Sequence, residues 1–175
     1  EVKIGASNGN ANISINGTSN VIDISTNFGT LSQYTVEHVS YKGAEGKMPF
    51  SYRTNTNFYQ YGDYSWAYTH GGVWGEYYYN GSNYNGQGPI NGWGHWVITY
   101  DGSKVSVYRR GQLTGTQSTT GTADWTGGFK IGYWAAGGAY AWLGQIAVVK
   151  FYNRALSAAE VLNNYNHYKT RFNIT

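Results

Sequence analysis

The stretch "NGWGHWVITYDGSKVSVYRRGQLTG", residues 91–115, decides how the rest of the chain is read. Two runs of β-branched and aromatic residues, "HWVITY" and "KVSVYRR", flank Asp101-Gly102, a pair that tolerates the positive φ of a tight hairpin turn. Arg110-Gly111 reads as a second turn before "QLTG". The stretch therefore predicts a three-stranded antiparallel meander.

Working outward, similar short runs recur between turn signals: "NISING", "VIDIS", "QYTVEHVSY", "TNFYQY", "YSWAYT", "VWGEYYY", "FKIGYW" and "GQIAVVKFY". Roughly ten strands at this spacing argue for a sandwich or barrel. Composition agrees, since 18% aromatic residues, 12% charged residues and 25 glycines leave little material for long charged helices. The one clear helix signal is "NRALSAAEVLNNYNHYKT". There Ser157 can cap the N-terminus, Glu160 can close a capping box, and Leu156 can staple onto Val161. Val161, Tyr165 and Tyr168 share a face that should lie on a sheet, leaving Asn163, Asn164 and Lys169 in water.

The central stretch resembles the core motif of concanavalin A-like, laminin-G-type jelly-roll domains: Trp and His before an apolar strand, a Tyr-Asp-Gly turn, a second strand and a Gly turn. "FKIGYW" resembles the next strand of that family, and "WLGQIAVVKFYNRALSAAEV" its last strand and the start of a short helix. "INGTSNVIDIS" is similar to its opening strand pair, and "YTVEHVSY" to the strand that follows. The tail "EVLNNYNHYKTRF" resembles the version found in phage and other virion structural proteins. The resemblance implies an all-β, antiparallel two-sheet jelly-roll sandwich with one short C-terminal helix, occupying residues 1–175 as a single domain. Its members include lectins, adhesion modules, glucanases and virion decorations, so the fold leaves function open.

Composition removes some classes. Without cysteine there is neither a disulfide framework nor a thiolate metal site. No apolar run reaches the ~20 residues of a membrane span, so a soluble chain without membrane insertion is expected. A first residue of Glu1 suggests a processed protein or an excised domain. The net charge of +3 comes from dispersed residues, far from the basic stripe of a nucleic-acid binder, so no nucleic-acid partner is expected. Arg109 and Arg110 read as solvated turn residues.

No catalytic constellation is legible. Glycoside hydrolysis needs two opposed carboxyl groups, and the glucanase branch of the family carries its acids on alternate residues of one strand. The nine acidic residues here never fall two or three apart. A pair such as Glu37 and Glu76 could meet only across strands, and surface acids are the expected reading. "GASNG" at residues 5–9 lacks the strand and helix that a nucleophile elbow needs. His38, His70, His95 and His167 offer no i, i+4 pair for zinc, and His95 reads as structural. Laminin-G-type domains often bind calcium through an acid near the opening strands. The aligned position here is Asn20, a poorer ligand for a hard cation, so no cofactor is assigned, with calcium left open at Asp23 and Asp63. A non-enzyme is expected.

The middle of the chain suggests binding instead. Sugar sites pair aromatic faces with amide, carboxylate and backbone groups, and residues 57–91 hold all of these. Alternation in "VWGEYYYN" places Trp74, Glu76, Tyr78 and Asn80 on a wet face, with Val73, Tyr77 and Tyr79 serving the core. Tyr64, Trp66 and Tyr68 read as core, as do Trp93 and Trp96, while Trp125, Trp134 and Tyr140 are second-rank candidates for exposure. The candidate glycan site is therefore Trp74, Tyr78, Glu76, Asp63, Asn80, Asn83 and Trp134. Two readings stand: a virion decoration or fibre domain with weak glycan binding, or a lectin or carbohydrate-binding module, free or appended to a polysaccharide-active enzyme. Expected partners are capsid or other virion proteins, or extracellular glycans, with a homo-oligomer left open and a virion-surface or extracellular location.

Overall fold

The computed structural model describes residues 2–4, 13–16, 22–42, 49–52, 58–61, 65–78, 92–133 and 142–175. They form two antiparallel sheets. The first contains β1 (Val2–Ile4), β2 (Ile13–Asn16), β5 (Tyr34–Lys42), β10 (Trp93–Tyr100), β11 (Lys104–Arg109), β12 (Gln112–Ser118) and β15 (Leu143–Tyr152). Its order is β1-β15-β5-β10-β11-β12, with β2 also on β15. The second contains β3 (Ile22–Ile24), β6 (Phe50–Tyr52), β7 (Phe58–Tyr61), β8 (Ser65–His70), β9 (Val73–Tyr78) and β14 (Phe129–Ile131), in the order β3-β14-β6-β7-β8-β9. A short pair, β4 (Thr30–Leu31) and β13 (Ala123–Asp124), forms a separate two-stranded sheet. The expected all-β sandwich is present. It has more strands than the sequence spacing suggests because pieces such as β4 and β13 are only two residues long.

The meander is β10–β11–β12, with Trp96 opposite Arg109 and Tyr100 opposite Val105. Its first turn closes on Asp101, whose carboxylate accepts from the Ser103 amide and hydroxyl and the Lys104 amide at 2.7–2.9 Å. Gly102 supplies the positive φ of 96°. At the second turn Arg110 itself takes φ 50° and donates its amide to the His95 carbonyl.

Inner faces of the two sheets meet in an aromatic core. Tyr34, Trp66, Trp96, Tyr100, Phe50 and Phe129 are buried to 2% exposure or less. Trp125 joins them at 1%, with its ring 4.8 Å from both Phe58 and Phe151, which corrects its expected exposure. The residues around it are glycine-rich, but its backbone exchanges bonds with Phe28 and Gly29, and these pin the ring between the sheets.

Arg109 is a second correction: it is wholly buried rather than solvated. Opposite Trp96 in register, it shares the inward parity of Val105 and Val107, so strand alternation carries it inside while Arg110 makes the turn.

The outer face of the first sheet is covered by α1 (Ala158–Phe172). Ser157 and Glu160 form the capping box, and Leu156 and Val161 pack in one buried cluster, as expected. Tyr165, Tyr168 and Phe172 continue the buried stripe onto Val39 and Ala147. The approach is fixed by Thr35, whose hydroxyl donates to the Arg154 carbonyl and accepts from the Leu156 amide. Two expectations change here. Asn164 does not face water but donates to Glu37 at 3.0 Å. Trp93 packs not into the hairpin core but on the helix side, 5.0 Å from Phe172.

Candidate functional site

The expected recognition strand, β9, is the edge of the second sheet. Residues 73–78 pair with β8 from Val73 opposite His70 to Tyr78 opposite Ser65. On β8, Trp66, Tyr68 and His70 point inward and are buried, which puts Trp74, opposite Thr69, on the outward parity. Its ring is 55% exposed, while Trp66, Trp96, Trp125 and Trp142 are at most 1% exposed. Glu76 and Tyr78 occupy the register positions two and four residues beyond it. Their side chains, and the whole of Asp63, Asn80, Asn83 and Trp134, lie outside what is described; so do Tyr64, Tyr79 and Tyr140.

Val73, expected in the core, is 66% exposed. Although it has inward parity, β9 is the last strand of its sheet among the described residues, and none of these covers it. Gly75 is needed where it stands. A Cβ there would be 2.6 Å from the Tyr68 ring, which fills the space beside the strand.

The hairpin that carries Trp74 is anchored by His70. This imidazole is bonded to the Tyr34 hydroxyl at 3.1 Å and to Thr119 Oγ1 at 3.3 Å, and is stacked on Tyr100 at 3.8 Å between centroids. Burial pushes its pKa down to about 4, so it is neutral near pH 7. Gly71 and Gly121 then touch backbone to backbone, and the Gly71 amide donates to the Thr122 carbonyl at 2.9 Å. Trp74 thus projects from a turn held on three sides.

A second buried histidine lies between the sheets. His38 stacks on Trp96 at 4.9 Å and bonds Gln60 through Nε2, and burial lowers its pKa to about 4.

Glu37 and His95 form a buried hydrogen-bonded pair beneath α1. The His95 Nε2 donates to the Glu37 carboxylate at 2.7 Å, with Tyr152 and Asn164 donating to its other oxygen. Burial alone would raise this carboxyl; the bonds from His95 and Tyr152 and the nearby cation of Lys150 outweigh it and hold the pKa below the usual value. His95 is structural, as read from its motif. Glu37 is not a surface acid, and it faces the helix on one sheet while Glu76 belongs to the edge of the other. Among the described residues no three His, Asp or Glu lie close enough together to hold a metal ion, and no helix is long and apolar enough to cross a membrane. Asp23 is an exposed residue of β3, and Asn20 lies outside the described residues.

Sequence reasoning passed over one exposed aromatic group. Tyr41, near the end of β5, is 42% exposed and meets Trp93 edge to face at 5.8 Å. Alternation from Glu37 and Val39 places it on the helix side, where those two are buried and Tyr41 is not.

A laminin-G-type profile described as the concanavalin A-like lectin/glucanases superfamily matches residues 16–162. Similar solved structures include a native heptameric SAP-like pentraxin from Limulus polyphemus, at 18% identity and TM-score 0.59, covering 86% of this chain and 79% of that one. The binding domain of Paraclostridial Mosquitocidal Protein 1 aligns at 17% identity and TM-score 0.68, over 96% of this chain and 47% of that one. A proposed carbohydrate binding protein from Bacteroides ovatus aligns at 15% identity and TM-score 0.64, over 85% and 45%. The chain therefore spans about half the length of the last two. At these identities the likeness is one of fold. No curated protein matches the chain by sequence.

Proposed function

The chain belongs to the concanavalin A-like lectin/glucanases superfamily, and from that premise we propose that it is a non-catalytic recognition module that binds glycan through the outward side of β9. The observation that carries this is Trp74. In a chain that buries four of its tryptophans to 1% exposure or less, one ring stands more than half exposed on an edge strand. Leaving such a ring in water forgoes roughly 2 kcal/mol of burial, and a flat indole is the surface on which the apolar face of a pyranose stacks. Glu76 and Tyr78, next on the same parity, are the candidate polar and aromatic partners, with Asp63, Asn80, Asn83 and Trp134 as outer contributors.

Two features support a binding rather than a hydrolytic role. The carboxylate of Glu37 is used up beneath α1, and the sequence holds no alternate-residue acids. Recognition as the role of similarly folded domains, in the mosquitocidal protein and the Bacteroides protein, is in keeping with it.

A virion-surface or extracellular setting belongs to this proposal, and high copy number would there raise a weak affinity through avidity. The tail that suggested a virion has packing work of its own, since Val161, Tyr165, Tyr168 and Phe172 are buried on the first sheet. Glycan recognition is accordingly the primary reading. A glycan array probed with the wild type and Trp74→Ala tests it: hits that vanish in the variant are expected, and hits unchanged in the variant would refute the assignment to β9.

A further inference from the structure

We propose a second pyranose-binding site on the opposite sheet, centred on Tyr41. It rests on the glycan-binding reading above but uses none of the residues of β9.

Register lines up Trp93, Tyr41 and Gln145 across β10, β5 and β15 on the helix side of the first sheet. The helix α1 ends at Phe172, whose ring lies against Trp93. Trp93 packs against both Phe172 and Tyr41, and Tyr41 keeps 42% of its surface in water. Leu143, two residues before Gln145, is 37% exposed and continues the floor. Gly92, at φ 107°, brings its backbone past the ring: a Cβ there would lie 3.7 Å from Tyr41 Cε2.

This arrangement suits a sugar ring better than a protein. A stable protein interface takes roughly 20–30 residues a side, and among the described residues the exposed apolar surface here is a few side chains beside Gln145 and the Gly92 backbone. A partly exposed aromatic ring, rigidly backed and edged by an amide and main-chain polar groups, is the composition that recognises a pyranose, whose ring has an apolar face and a hydroxyl rim. The row is on the outer face of the first sheet and Trp74 is at the edge of the second, so one chain would engage two glycan segments, and affinity for a polymer would exceed that for its fragments.

The test is calorimetric titration of the whole chain with maltohexaose, cellohexaose and chitohexaose, using the wild type, Tyr41→Ala, Trp74→Ala and the double variant. Circular dichroism and thermal melts establish that each is folded, and Tyr41→Phe, which keeps the ring, serves as the conservative control. Two sites per chain are expected in the wild type, one in each single variant and none in the double variant, with Tyr41→Phe retaining both. Binding abolished by Tyr41→Ala but not by Trp74→Ala would support this site and overturn the one on β9. A single site lost in Trp74→Ala and untouched in Tyr41→Ala would overturn the inference and leave the proposed function standing. Absence of binding by the wild type would overturn both.

Discussion

Acidification should destabilise this protein through His38 and His70, both buried and both held neutral. The ordinary imidazole pKa of 6.5 is lowered to about 4 in each, the first cause in both being loss of solvation. Between pH 6.5 and pH 4 the unfolded chain therefore binds protons that the folded chain does not, and stability must fall as pH falls. At about 1.36 kcal/mol per pH unit, each histidine contributes about 3 kcal/mol across the window and about 2 kcal/mol by pH 5. The pair together should remove about 4 kcal/mol between pH 7 and pH 5, a large part of the ~5–15 kcal/mol that holds a domain of this size. Glu37, whose carboxyl is held below its usual pKa, adds a loss of the same sign at lower pH, as it takes up a proton. Urea denaturation followed by fluorescence of the buried tryptophans, repeated from pH 7.5 to pH 5, measures this directly. His70→Phe should start less stable, since the Tyr34 hydroxyl loses its partner, but its dependence on pH should be about half as steep. Stability that is flat over this range, or an unchanged slope in His70→Phe, would refute the reasoning.

Other substitutions separate burial from exposure. Trp74→Ala should change stability by less than about 1 kcal/mol, whereas Trp66→Ala, wholly buried, should cost about 3–5 kcal/mol in the same denaturation assay. Glu37→Gln replaces the carboxylate that accepts from His95, Tyr152 and Asn164 beneath the helix, and a loss of about 1–3 kcal/mol is expected from chemical melts. Gly121→Ala would set a Cβ 2.6 Å from the Gly71 backbone at a φ of 107°. It should therefore cost at least about 2 kcal/mol and raise amide exchange in the β8–β9 turn, measurable by hydrogen–deuterium exchange.

How much of the site was legible follows from what each prediction depends on. Trp74 was correctly placed outside because its exposure depends on alternation along β9, a property of adjacent residues. Val73 was misplaced because its exposure depends on β9 being an edge, and no local pattern states which strand lacks a neighbour. Tyr41 is likewise beyond local pattern: its alternation matches that of Glu37 and Val39, which are buried, yet it is exposed. Arg109 is the reverse case: alternation through Val105 and Val107 points it inward, and that local pattern outweighs the general preference of arginine for water.

What the sequence by itself determined was everything that neighbours within a few residues decide. The Asp101-Gly102 hairpin, the capping box of Ser157 and Glu160, the buried stripe of α1 and the alternation of the strands all close over short chain distances, where turn chemistry and side-chain period leave few alternatives. Only the tertiary structure decided which polar groups go inside and which apolar ones stay out. Asn164 bonds Glu37 across 127 residues of chain, Trp125 fills the space between Phe58 and Phe151, and Val73 and Tyr41 are left exposed against the expectation of local pattern. Burial is a property of what lies opposite, and what lies opposite is set by long-range sheet order rather than by any window of sequence.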